Sequence, residues 1–197
     1  MGMSLNEFVL GFVGVLIGLG VADLLTSFHK LLRAGRRVKW DWLTLLYAAY
    51  MLFSLIVFWW WQFEFPPPGT SLTIAQFLGN FLFLALSFLM VASALPDDVP
   101  AEGLDLRDYY MSSLRHRWGL LTIGLAYNWA GGTLAALAGG VGALTRADAL
   151  GAIGLVFLCV VLAACAMRIR AVWYQALALA ILFATTSYFN LFRPIGP

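Results

Sequence analysis

The groups able to do chemistry in this chain are few, and most are polar side chains set inside long apolar runs. Asp23 is the one acid well inside such a run. A carboxylate at the bilayer centre costs about 2.5–3.5 kcal/mol on insertion scales, and less toward the interface. A residue kept at that cost faces other helices or water. Asp23 shares a helical face with Ser27 and Lys30. It reads either as an ion or proton site or as the ion-pair partner of an arginine at similar depth, such as Arg168.

A second group falls toward the opposite end of the apolar runs. Gln76 and Asn80 lie in one run, Tyr127, Asn128 and Thr133 in the next, and Thr185, Thr186, Ser187, Tyr188 and Asn190 in the last. Gly131-Gly132 sits beside Asn128. A glycine pair among polar side chains is a place where a membrane helix can unwind and offer carbonyls to a solute. The competing reading is plain hydrogen bonding between helices, worth about 0.6 kcal/mol each. As a solute path the group comprises Gln76, Asn80, Tyr127, Asn128, Thr185, Ser187 and Tyr188. A third pattern, Gly14-x3-Gly18-x3-Ala22 with Gly11 on the same stripe, permits close approach of a second helix.

Catalytic templates are missing. His29 and His116 are the two histidines, both near one predicted membrane boundary. There is no HExxH motif and no glycine-rich phosphate loop, and no histidine lies within a span to activate a serine. No catalytic residue, metal set or cofactor is expected. Cys159 and Cys165 share one apolar run and read as small buried hydrophobes, not a disulfide.

These residues have to be positioned by helices in lipid. The chain has 197 residues, 62% hydrophobic and 11% charged, against roughly 25% charged in a soluble domain. A water-soluble fold has no place for that apolar surface, whereas a bilayer absorbs about 20 residues per crossing. Six continuous apolar segments, about 8–29, 43–63, 72–95, 118–139, 149–167 and 171–190, predict an all-α integral membrane bundle in one transmembrane domain spanning 1–197. Continuous runs speak against a β-barrel, whose strands alternate. The start of the chain lacks a basic n-region, so the first segment is expected to be retained.

Ten of the 12 basic residues fall in the first, third and fifth connections. The first holds Lys30, Arg33, Arg36, Arg37 and Lys39, the third Arg107, Arg115 and Arg117, and the fifth Arg168 and Arg170. Basic connections stay cytoplasmic, which predicts both termini on the other side (N-out/C-out). Trp40, Trp42, Trp118 and Trp173 at the starts of segments, and Trp59, Trp60 and Trp61 at the end of the second, suit water–lipid boundaries. Pro66-Pro67-Pro68-Gly69 predicts a stiff outer turn. The basic first connection is explained as a topology determinant, so no nucleic-acid partner is expected.

The third connection, about 96–117, opens acidic with Asp97, Asp98 and Glu102, carboxylates that read either as a cation site or, the preferred reading, as solvated groups or partners of the basic first connection. Asp105 followed by Asp108 reads as a helix cap, and Leu106, Tyr110 and Leu114 share a face. This predicts a short cytoplasmic amphipathic helix between the third and fourth spans. Arg-x-x-Trp recurs at Arg37–Trp40, Arg115–Trp118 and Arg170–Trp173. That is either a trace of duplicated hairpins or what any helix start at a basic boundary looks like.

The acid in the first helix, the Arg-Arg-x-x-Trp connection, the aromatic WWWQFEF end of the second and the Asp-Leu-Arg-Asp-Tyr-Tyr segment at 105–110 together resemble small polytopic inner-membrane proteins of bacteria. The resemblance implies a bacterial inner membrane and carries no activity with it. Two functions are expected from the residues. One is a small permease or channel using the polar group and Asp23. The other is a non-catalytic membrane subunit or scaffold assembling, as a homo-oligomer or in a membrane complex, through its Gly/Ala faces.

Overall fold

The structure is a computed structural model that describes residues 5–64, 73–137 and 146–191. The described residues form seven helices: α1 (Leu5–Ala34), α2 (Trp42–Trp61), α3 (Ile74–Ala92), α4 (Leu106–Ser112), α5 (Leu114–Leu137), α6 (Arg146–Ala166) and α7 (Val172–Asn190). Helices dominate because lipid offers no partner to a free backbone N–H or C=O, and a helix satisfies each within its own segment. Four of these regions, Glu7–Arg37, α2, α3 and α7, are long and apolar enough to cross a membrane, and α6 holds a shorter apolar stretch, Leu150–Ala166. The protein is a helical membrane protein with several spans, in contact with the lipid bilayer.

At about 1.5 Å per residue, the 30 residues of α1 exceed a hydrocarbon core of about 30 Å. α1 is therefore longer than one crossing requires, and its last turns bear His29, Lys30 and Arg33. Asp41 caps α2 by accepting from the Thr44 amide, and Thr73 forms a reciprocal capping box with Gln76 at the start of α3. α4 is a short helix at the place where one was expected, between α3 and α5. Its cap is Asp105, which accepts from the amides of Arg107 and Asp108, and Leu106, Tyr110 and Leu114 are all buried. α5 starts at Leu114, ahead of the expected 118, because the turn at Ser113 already donates to the Tyr109 carbonyl and aligns the chain.

The long helices close into a ring. α1 packs on α3, α3 on α5, α5 on α6, α6 on α7, α7 on α2 and α2 back on α1, with a further α2–α3 contact. The core face of α1 runs Val9, Val13, Ile17, Gly20, Leu24, Ser27 and Leu31, steps of three and four that keep one side of a helix turned inward. Gly20 is the glycine this packing uses, since a Cβ there would lie 3.2 Å from Leu55 Cδ2.

The first, third and fifth connections meet at one end. Val38–Lys39 (β1) pairs in parallel with Leu104–Asp105 (β2). Lys30 Nζ reaches Asp98 Oδ1 at 3.1 Å and the Asp97 carbonyl at 2.7 Å, joining the acidic and basic connections as expected. Arg170 Nη2 donates to the Met111 carbonyl at 3.1 Å. The same three connections carry most of the basic residues.

Two expectations are corrected. Gly131-Gly132 does not unwind its helix, because α5 runs unbroken from Leu114 to Leu137 and the Thr133 hydroxyl donates to the Trp129 carbonyl at 2.8 Å. Cys165 is exposed, since it lies on the outer side of the last turn of α6, while Cys159 is buried. The Pro66–Gly69 turn lies outside the described residues.

Candidate functional site

The densest polar cluster is at the basic end, where α2, α4, α5 and α7 converge. Asp41 is buried and works on both oxygens. Oδ1 accepts from Arg107 Nε at 2.9 Å, and Oδ2 accepts from the Thr44 amide at 3.2 Å. The Thr44 hydroxyl donates to the Leu106 carbonyl at 2.8 Å, which fixes the start of α4 against the start of α2. Lys39 approaches Asp105 at 3.8 Å across the short parallel pair.

A relay of neutral hydrogen bonds runs deeper. Trp118 Nε1 donates to Tyr110 Oη at 3.1 Å, and Tyr110 Oη donates to Gln175 Oε1 at 3.0 Å. Gln175 Nε2 then donates to the carbonyls of Ala166 at 3.0 Å and Ile169 at 2.6 Å, which end α6 and form the turn into α7. All three side chains are buried. Tyr47 packs its ring edge-on to both Tyr110 and Trp118 and donates to the Arg117 carbonyl at 3.3 Å. Buried amides and hydroxyls are tolerated only when paired, and here each pairing ties a different helix end.

Burial pushes the Tyr110 phenol up to about 12, with the Trp118 hydrogen bond and the Arg117 charge pulling partly the other way. A folded value above the ordinary 10.0 means the folded protein holds its proton where the unfolded chain has lost it. The stabilisation is fully present below pH about 10 and is lost as pH rises from about 10 to about 12. Thermal unfolding is expected to show a Tm independent of this group up to pH about 10 and falling above it. In Tyr110→Phe that alkaline fall should be smaller.

Arg117 occupies the middle of this cluster. Its side chain is fully buried in the first turn of α5, and its guanidinium lies 4.3 Å from the Tyr109 ring centre, 5.1 Å from Tyr110 and 5.7 Å from Tyr47. None of its three nitrogens meets an acceptor among the described residues. Each ring contact contributes about 0.5–2 kcal/mol, whereas a desolvated cation without an anion costs several kcal/mol. The positive end of the α5 dipole adds to that cost.

The sequence-expected residues are placed as follows. Asp23 is half-buried on the flank of α1 and makes no hydrogen bond or ion pair with any described residue. Asn80 pairs its amide with that of Gln62, the Asn80 Nδ2 to Gln62 Oε1 distance being 2.9 Å. Gln76 is spent on the capping box, and Tyr127 stacks on Phe83 with its hydroxyl against Gly79. Thr185 lies 4.0 Å from Cys159 Sγ, and Ser187 is half-buried. Asn128 and Tyr188 are exposed. The structure thus joins Asn80 to Gln62 and sets Tyr127 against Phe83 and Gly79. Gly14, Gly18 and Ala22 face away from the core of the bundle, and a Cβ at Gly11, Gly14 or Gly18 would meet nothing within 4 Å.

Read from sequence, Arg117, Tyr110 and Trp118 are boundary and amphipathic residues only, and Gln175 has no assigned role. The one signal that was available is the odd spacing of basic residues, since Arg117 falls on the Tyr110–Leu114 side of the chain and not with Arg115. Comparison with protein-family models, with curated proteins and with solved structures found no match.

Proposed function

We propose that the protein is a non-catalytic membrane subunit that assembles with another transmembrane helix through the outward face of α1. One observation carries this reading. At 100° per residue, Gly11, Gly14, Gly18 and Ala22 lie opposite the buried Val9–Leu31 face, with open space where side chains would be. Small residues in a span let two backbones approach closely, which is how helices associate without a hydrophobic driving force. Asp23, without a partner among the described residues, borders the buried face of α1 and lies away from the centre of that stripe. The hydrogen-bonded cluster at the basic end supports the same reading, because it ties the ends of α2, α4, α5 and α7 and does not use the outward side of α1.

The proposed setting is six spans with the basic end cytoplasmic and both termini outside, in a bacterial inner membrane. The gathering of three basic connections at one end supports this orientation. Solute passage is the second reading, and the Gln62–Asn80 amide pair, joining the residue that caps α2 to α3, is the observation on its side.

A photo-crosslinking residue placed at exposed Val15, beside the stripe, tests the assembly. Cross-links to a protein of defined mass are expected in intact membranes, and Gly18→Leu should abolish them. Cross-links to lipid alone, or cross-links indifferent to Gly18→Leu, would overturn the reading.

A further inference from the structure

Arg117 is a buried fork of donors with no acceptor among the described residues. Its guanidinium is stacked among Tyr47, Tyr109 and Tyr110, and its Nε, Nη1 and Nη2 lack acceptors among the described residues. The described ion pairs use Lys30, Lys39 and Arg107 and leave Arg117 out. Asp41, the buried carboxylate at this end, has both oxygens taken up by Arg107 and Thr44. The planar fork matches oxyanions in a bidentate manner, and the first turn of α5 adds the positive end of a helix dipole.

We propose that Arg117 is the recognition group of an anion site of the phosphate class at the basic end of the bundle. Tyr109 is the wall that opens it. Its ring is the closest of the three to the guanidinium and is half-buried, whereas Tyr47 and Tyr110 are fully buried and tied by hydrogen bonds. Tyr109 also sits on α4, the shortest helix, so its ring can swing toward solvent without disturbing a span. In the closed form the three rings hold the cation. In the open form a phosphate oxygen pair replaces the Tyr109 face. The bound group is either free phosphate or the headgroup phosphate of an anionic lipid, since the basic end lies at a bilayer surface.

The test is thermal unfolding of the full chain purified in a neutral, phosphate-free detergent. Inorganic phosphate is titrated against chloride at matched ionic strength, and phosphatidylglycerol is titrated in a parallel arm. The wild type should show a saturable rise in Tm beyond the chloride control, as a ligand specific for the folded state requires. A rise with inorganic phosphate identifies free phosphate, and a rise with the lipid alone identifies the headgroup. Arg117→Met should lose the rise and, without ligand, unfold at the same or a higher temperature than wild type, because an unpaired buried charge has gone. Arg117→Lys keeps a charge in place and should need about tenfold more anion for half the rise. It serves if the methionine variant does not fold. No rise beyond chloride in the wild type, or an equal rise in the Arg117 variant, overturns the site and leaves a cation held by aromatic rings alone.

Discussion

Trp118→Ala is expected to destabilise the protein by about 3–5 kcal/mol, the range for removing a fully buried large aromatic. Trp118 is completely buried, packs edge-on to Tyr47 and donates to Tyr110 Oη. Its removal leaves a cavity and loosens the group that holds Gln175. Gln175 in turn holds the carbonyls at the α6–α7 turn, so the damage should spread along the relay. Trp118→Phe keeps most of the volume but loses the donor and part of the ring, and should cost about 1–2 kcal/mol. Trp173→Ala provides the contrast. That side chain is 68% exposed, and its loss should fall within about 0.5 kcal/mol. Denaturant titration of the purified protein in micelles measures all three. Equal effects at Trp118 and Trp173 would show that the buried relay contributes nothing to stability.

Gly103→Ala is expected to cost about 1–3 kcal/mol from backbone strain alone, with a collision added. Gly103 has φ +99, a conformation L residues rarely adopt, and a Cβ there would lie 2.9 Å from the Arg37 carbonyl oxygen. The obstacle is backbone, so it yields only if the Val38–Leu104 pairing shifts. Gly35→Ala is the control. Its φ of +55 is also left-handed, but a Cβ there meets nothing within 4 Å, so it should cost about 1–2 kcal/mol of strain and no more. Hydrogen exchange should show the amides of Val38, Lys39 and Leu104 losing protection in Gly103→Ala and keeping it in Gly35→Ala. Unchanged protection in Gly103→Ala would mean that the parallel pair does not depend on this turn.

Much of the architecture follows from local sequence. The apolar runs, the basic connections, the Asp105 cap and the shared face of Leu106, Tyr110 and Leu114 are each decided by a residue and its neighbours a few positions away. The Lys30–Asp98 pairing is legible for a related reason, since an acidic and a basic connection at one boundary attract whatever their exact geometry.

The three Arg-x-x-Trp repeats show where local reading stops. They look alike in sequence, yet Trp118 is buried while Trp40 and Trp173 are exposed. Arg115 points outward, whereas Arg117, two residues later, is fully buried. What separates them is α4 folding back against the start of α5, which covers one side of that helix and leaves the other open. The repeats therefore answer to a boundary composition and not to equivalent places in the fold.

The polar groups divide in the same way. Sequence alone placed Gln76, Asn80, Tyr127, Asn128, Thr185, Ser187 and Tyr188 by depth along their helices, and depth is a property of each residue against its solvent. Whether two such residues meet depends on helix phase and on neighbours more than sixty positions away, as with Tyr110 and Gln175. Sequence by itself thus determined that this chain is a helical membrane protein with its positive charge collected in alternate connections. Tertiary structure decided that Asp23 and the Gly14–Gly18–Ala22 stripe have no partners among the described residues, and that the cation at Arg117 lies among aromatic rings. Hydropathy and charge act one residue at a time, while partnership is a contact between two and exists only once the helices have packed.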